Sequence, residues 1–502
     1  WPTADVNEAV YLTKARHAAD PTWAAGDFFL ETPDAHGVFY LLMGPLAAAL
    51  PLEQAAWIGR IVGWAAVAVG FRHAAVPLLN SGWGRVVAAA LFSLALRHTT
   101  AAGEWVIGGC EAKVFSWAFV LGGFGEIGRG RFASAVGLCG AATAFHPIVG
   151  GWALVATVAT WLSVGRPVPA AGRAAAAAAV TLGMALVVVG IVPALGLTAG
   201  ADPAARAEAT RIYVVERLSH HLLVRTFADG MVARHVLAVM VWWLLHRLVI
   251  PTEARGRIAI MTVAAVGISV VGCLISLAEC IAPVAALGLL RYYWFRLADV
   301  VVPFALATTA TAAVEEDFVC RRLCGLRPAF MRVAVVAVII SDVAVQSFHW
   351  PLPGRTAVAA RSDSKVLAGP WADACDWIRM HTPAEARFLT PRGAASFTWR
   401  TGRPEVVSWK NSPQDVASLI EWRKRITDCF SHTGGLTDME KSTVSLGVGR
   451  LLAAATRYEA DHVIVPLDAP LIETLPGERL YANEGYAVYR LTLGESPTPV
   501  TR

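Results

Sequence analysis

Charge is what this sequence has least of. Only 16% of its 502 residues are Asp, Glu, Lys or Arg, against about a quarter in an ordinary soluble chain. A net charge of +5 is too small for a nucleic-acid binder, so nucleic acid is excluded as the partner. Cysteine is also scarce, eight in all, and Cys320 and Cys324 have no further Cys or His at ligand spacing, which excludes a cysteine metal framework. The G-x-x-x-x-G-K-[ST], H-E-x-x-H and G-x-S-x-G patterns are missing, and with them the familiar soluble-enzyme sites. There is no repeat at a solenoid period and no low-complexity tract beyond "RAAAAAAV", a good helix former. No signal peptide with a cleavage site is visible, and the first residue is Trp rather than Met. The expectation is a chain whose first membrane helix lies upstream, since the polar opening must otherwise reach an outer face unaided.

What is present is apolar length. Hydrophobic residues make up 56% of the chain and mean hydropathy is +0.51. Many stretches approach the roughly 20 apolar residues that a spanning helix needs. About ten helices are expected: Gln54 to Arg72, Arg85 to Leu96, Ala112 to Phe124, Phe132 to Phe145, Ile148 to Val164, Ala174 to Leu197, Met231 to Leu245, Ile258 to Cys280, Val284 to Ala313 and Met331 to Gln346. Basic residues fall in alternate loops: Arg72 and Arg85; Arg129 and Arg131; Arg166 and Arg173; Arg247, Arg255 and Arg257; Arg321, Arg322 and Arg327. By the positive-inside rule those loops are cytoplasmic. The opening segment, the 97–111 loop, His146, the 199–230 loop, the 280–299 region and everything after Trp350 are then outside.

Three parts follow: an outer loop over 1–53, a transmembrane helical body over 54–350 and an exported α/β domain over 351–502. The first carries an amphipathic helix, a turn at "ADPTW" and the apolar "GVFYLLMGPLAAAL", too short to span and suited to the interface. In the last, "ARFLTP", "PEVVSW", "HVIVPL" and "YAVYRL" read as strands. "WADACDWIRMH" and "PQDVASLIEWRKRITDCF" read as helices, with Pro413 in a first turn. Cys375 and Cys429 lie in this exported part, where a disulfide is an option.

Candidate chemistry gathers where charge interrupts the apolar pattern. Asp5 and Glu8, three apart, share a helix face; one reading makes them a general base or half of a metal site, the other a capping box. Asp27 and Asp34 read as turn formers. Glu104, Glu111 and Lys113 lie beside Gly103, Gly108 and Gly109 at the outer end of a helix, where ligand binding and helix capping are both open. His146 precedes Pro147 at a helix break, a place for a cavity-lining group or for a histidine that only satisfies the broken turn. Arg291, Arg296 and Asp299 stand in an apolar stretch where a charge costs about 2.5 to 3.5 kcal/mol, so they either pair, Arg296 with Asp299, or line a pathway. Arginines at a membrane boundary also suit phosphate. Arg392, Arg400, Arg403 and Lys410 run among Phe397, Trp399 and Trp409, a pattern for sugars or anionic headgroups, or a solvated basic edge over core aromatics.

The acidic first loop with "DP", the "FY" interfacial piece, the run of helices, "FHP" at a helix break and a C-terminal domain ending "LYANEGYAVYRL" together resemble the GT-C superfamily of membrane glycosyltransferases. "NEAVYLTKARHAADPTW", "GEWVIGGCEAK" and "FLTPRGAASFTWRTGRPEVVSWKNSPQD" are similar to a planctomycete-type group of multi-pass proteins with no known activity. The GT-C resemblance implies a polyprenyl-phosphate or polyprenyl-diphosphate sugar donor and a bacterial inner membrane location. It implies a catalytic carboxylate at Asp5 or Glu8, with Arg291 and Arg296, or a divalent Mg²⁺ or Mn²⁺, near the phosphate. A transporter, or a lipid-handling scaffold without chemistry, is the alternative.

Overall fold

The structure is a computed structural model, and it describes residues 1–164, 172–316, 328–348, 350, 358–469 and 475–492. Arg166, Arg321, Arg322, Arg327, Cys320 and Cys324 lie outside the described residues. The chain divides into two compact units: Trp1–Asp34, Phe39–Trp57 and the described residues of Pro351–Arg502 form one, and Ala35–Val38 with Ile58–Trp350 form the other. The first segment is thus grouped with the C-terminal part.

The larger unit is helical. Its elements are α3 (Leu52–Ala75), α4 (Gly82–His98), α5 (Ala112–Gly128), α6 (Phe132–Phe145), α7 (Pro147–Val164), α8 (Arg173–Gly196), α9 (Pro203–Arg211), α10 (Met231–Leu248), α11 (Glu253–Ala278), α12 (Pro283–Leu290), α13 (Ala298–Glu315) and α14 (Pro328–Ser347). Six of them, α3, α7, α8, α10, α11 and α13, are long and apolar enough to cross a membrane. Helices are found at all ten positions where membrane helices were expected, with one correction, but among the described residues only these six have the length and apolarity of a span. The span expected over 284–313 is two helices, because the segment 291–297 turns: Tyr293 is left-handed at φ 54° and its carbonyl accepts from Arg296 N.

α13 is the centre of this bundle, with 72% of its apolar window buried, whereas α8 has 11% and presents its apolar surface outward. Phe304 of α13 meets Phe71, Phe92 and Phe124 edge-on or tilted, and Trp117 and Val120 complete the core. Hydroxyls inside it are satisfied locally: Thr143, Thr157, Thr160, Thr262, Thr308 and Thr311 each donate to the carbonyl four residues back. α6 and α8 meet through glycine. A Cβ on Gly140 would overlap the Gly183 carbonyl oxygen, and one on Gly190 would overlap that of Thr143.

Loops sort between the two ends of the bundle. At one end Glu126 pairs with His73 and Arg131 at 2.6 Å each, Arg257 donates to Gly128 O, and Arg255 donates to Leu78 O and Ile250 O and pairs with Glu316. At the other, residues 98–104, 146–152, 221–235 and 291–299 are joined by hydrogen bonds described below.

In the smaller unit α1 (Glu8–Ala19) packs on α2 (Gly37–Ala49), where a Cβ on Gly44 would come within 2.8 Å of Ala15 O. The C-terminal part holds α15 (Ala368–His381), α16 (Phe397–Thr401), α17 (Val416–Phe430), α18 (Val448–Arg457) and a sheet of order β1-β2-β4-β3: β1 (Phe388–Leu389), β2 (His462–Pro466), β3 (Gly477–Ala482) and β4 (Tyr486–Leu491). β1 and β2 are parallel and the other pairs antiparallel. Trp371, Ile378, Phe388, Phe397, Ile464 and Val488 form the core between helices and sheet.

Three expectations need correction. "PEVVSW" is no strand and contributes a single bridge, Glu405 to Phe388, because Glu405 turns inward to polar partners. β3 was not foreseen. Pro413 sits two residues ahead of the N-cap, Asp415, whose side chain accepts from Ser418 N, and is outside the first turn. Cys375 and Cys429 are both free and buried.

Candidate functional site

Six of the singled-out residues of the larger unit converge. Asp299, in the first turn of α13, is fully buried, and its carboxylate accepts from the amides of Ala101 (2.6 Å), Ala102 (2.9 Å) and Glu104 (3.2 Å). His235 Nδ1 stands 3.7 Å away. Asp299 therefore pins the loop that carries Glu104. Arg296 reaches the same loop through Glu104, Nε to Oε2 at 2.9 Å, from the turn that contains Tyr293.

Glu104 is the hub. Its Oε1 lies 3.5 Å from Lys113 Nζ and accepts from Trp117 Nε1 at 3.2 Å. Lys113 is also 3.9 Å from Glu111, which stands at the N-cap of α5. Each cation has an aromatic face behind it: Arg296 lies over the Tyr293 ring at 3.9 Å and Lys113 over the Trp105 ring at 2.9 Å. Burial pushes the Glu104 carboxyl up, but Arg296, Lys113 and the Trp117 donor together outweigh it and hold the group below its ordinary value.

His146 caps the C-terminal end of α6 at the Pro147 break. Its Nε2 is 3.4 Å from Arg296 Nη1, and its ring meets that of His36 at 5.0 Å. His221 Nδ1 lies 2.5 Å from Ala102 O, and burial, with His220 beside it, pushes its imidazole down to about 4. The sequence does not mark out His36, Trp105, Trp117 or His221; the signal for His36, Trp105 and His221 is the aromatic and histidine content of the loops, and Trp117 lies within α5. Arg291 does not join the cluster and lies 6.0 Å from the Tyr213 ring.

The smaller unit holds the remaining candidates. Helix α1 begins at Glu8 with Asn7 as N-cap, not Asp5, and Asn7 makes no side-chain cap. Half of a capping box survives: Glu8 Oε2 accepts from Asp5 N at 2.9 Å, while Asp5 Oδ1 accepts from Val6 N at 2.7 Å and lies 3.6 Å from Arg361. Arg392 donates to Glu440 O, Arg403 to Arg379 O and Thr382 O, and Arg400 pairs with buried Asp363. These arginines fasten backbone carbonyls and a buried acid. Lys410 accepts through its carbonyl from Ser412 N.

Asp27 does more than shape a turn. Its Oδ1 accepts from Leu30 N, and its Oδ2 accepts from Glu405 N and Thr398 Oγ1. Glu405 in turn accepts from Thr390, Ser408 and Asn411. Both carboxyls are buried, and burial with their mutual repulsion pushes them up, Glu405 to about 8. Lys14, equally buried, donates to Thr32 O at 2.7 Å; burial pulls its ammonium down against the pull of Asp34, Asp27 and Asp415.

A divalent metal does not fit these residues. Among the described residues no group of three or more His, Cys, Asp or Glu side chains is arranged to hold one, and no step below is routed through Mg²⁺ or Mn²⁺. Residues 369–429, from α15 to the end of α17, match a family model described as a domain of unknown function (DUF6798). No curated protein matches the chain.

Proposed function

We propose that this chain is a polytopic membrane protein of the glycosyltransferase type that takes a polyprenyl-phosphate or polyprenyl-diphosphate sugar on the outer face of a bacterial inner membrane. The observation that carries the reading is the convergence of Arg296, from the turn before α13, and Lys113, from the first turn of α5, onto one carboxylate, each backed by an aromatic ring. Two fixed cations side by side at one end of membrane-length helices suit the phosphate of a lipid-linked donor, which leaves as an anion when the anomeric carbon is attacked. The proton of the acceptor hydroxyl goes to a carboxylate, and the resemblance assigns that role to Asp5 or Glu8.

The test is transfer by the purified full-length protein from a panel of polyprenyl-phosphate sugars, alongside Asp5→Asn, Glu8→Gln and Arg296→Met. Arg296→Met is expected to lose donor binding. One of the carboxylate variants is expected to keep binding and lose at least a hundredfold in turnover. Turnover untouched by both carboxylate variants moves the base elsewhere. A second reading, transport or lipid handling, is favoured by the near balance of Arg296 and Lys113 against Glu104 and Glu111; binding without transfer, with flux of the donor across vesicles, is its signature.

A further inference from the structure

We infer that the Glu104 carboxylate is an internal stand-in for the phosphate of the ligand, occupying the two cations until the ligand arrives and displaces it. This rests on the proposed reading that the cluster takes a phosphate-bearing lipid. Three features of the geometry carry it.

The first is the shape of the contact. Glu104 presents two oxygens from one centre, Oε2 to Arg296 at 2.9 Å and Oε1 towards Lys113 at 3.5 Å, and bridging by two oxygens is also what a phosphate offers a guanidinium and an ammonium. The second is that the cations do not depend on Glu104 for their position. Arg296 also lies over the Tyr293 ring and Lys113 over the Trp105 ring, and Glu111 stands 3.9 Å from Lys113. The third is what is free to move. Asp299 holds the backbone amides of Ala101, Ala102 and Glu104, so the exchange needs only the Glu104 side chain to rotate. Gly103, left-handed at φ 77°, sets the turn from which that side chain projects.

Displacement has a proton signature. Glu104 is buried, with 7% of its surface exposed, and is kept ionised by the two cations. Once a phosphate engages Arg296 and Lys113, the buried carboxylate loses both cations while keeping the Trp117 donor, and it takes up a proton. The groups that face it are Arg296, Lys113, Glu111, His146, His221 and, through the loop backbone, Asp299.

The experiment is titration calorimetry of the full-length protein with a polyprenyl phosphate, and separately with inorganic phosphate and with the free polyprenol, in buffers of differing ionisation enthalpy. The expected result is that the wild type binds polyprenyl phosphate with uptake of close to one proton, and that Glu104→Gln binds it about tenfold more tightly, roughly 1.4 kcal/mol, without uptake. Inorganic phosphate showing the same linkage would make the phosphate alone the ligand; binding of the polyprenol alone would overturn the inference. Equal affinity in wild type and Glu104→Gln, with no proton uptake, would also overturn it while leaving the donor reading in place. Absence of binding to either folded protein would sink the donor reading and the inference together. Should Glu104→Gln fail to fold, proton uptake by the wild type decides alone.

Discussion

At the residue scale, the sequence made charged positions in apolar surroundings easy to find and their partners hard to assign. Glu104, Glu111, Lys113, His146, Arg296 and Asp299 stand out because charge or a helix break inside an apolar stretch has to be compensated. Which acid compensates which base is a long-range matter: Arg296 pairs with Glu104, nearly two hundred residues earlier. Asp27 and Glu405 show the opposite failure. Each reads as an ordinary turn or strand residue, and only the fold buries them together. That pair sets a pH dependence. Glu405 has an ordinary value of 4.5 and is pushed up to about 8, and Asp27 moves the same way, so the folded unit binds protons that the unfolded chain releases. Stability is full below pH 4.5 and is lost as pH rises towards and through 8. Thermal unfolding followed by near-ultraviolet circular dichroism should show a midpoint lower at pH 9 than at pH 5, on the order of 5 °C. Glu405→Gln should flatten that slope, and a wild-type midpoint that rises with pH would refute the assignment.

At the element scale, the helices were legible because each is an apolar run bounded by Gly, Pro or Arg, and period and length both report it. The single span expected over 284–313 failed because hydropathy cannot see a backbone turn inside an apolar stretch; "RYYWFR" is aromatic enough to hide it. β3 was missed for a related reason: Gly477–Ala482 is exposed, irregular between Arg479 and Tyr481, and lacks the alternation of a half-buried strand. Helix contacts were not legible at all, yet they make a sharp forecast. Gly140 faces the Gly183 backbone with no room for a methyl group, whereas Gly151 on α7 has open space around its Cα. Gly140→Ala should destabilise by about 1 to 3 kcal/mol, because backbone rather than a pliable side chain must shift. Gly151→Ala should leave the midpoint unchanged or slightly raised. Equal thermal midpoints for the two variants in the same detergent would contradict the α6–α8 seam.

At the scale of the whole molecule, the apolar composition, six membrane-length helices and two sets of loops at opposite ends of the bundle agree with one another. The sorting of loops follows from up-and-down connection of helices, whatever the charge each loop carries. Orientation is a separate question, because the end that gathers Glu104 and Arg296 also carries Arg211, Arg225 and Arg234. Two of these are neutralised, Arg211 by Glu208 and Glu216 and Arg225 by Glu279, so net charge is a better guide to local fields than a count of arginines. Cys280 offers a direct reading. It is exposed and lies between α11 and α12, in the same set of loops as the cluster. In a variant that keeps Cys280 and replaces the other seven cysteines, a membrane-impermeant maleimide added to intact spheroplasts should label it at once, as the outer-face reading requires. Labelling only after the membrane is opened would put the Glu104 cluster on the cytoplasmic side. A lipid-linked donor would then be met before translocation rather than after it, and the proposed transfer reaction would have to be moved to that face.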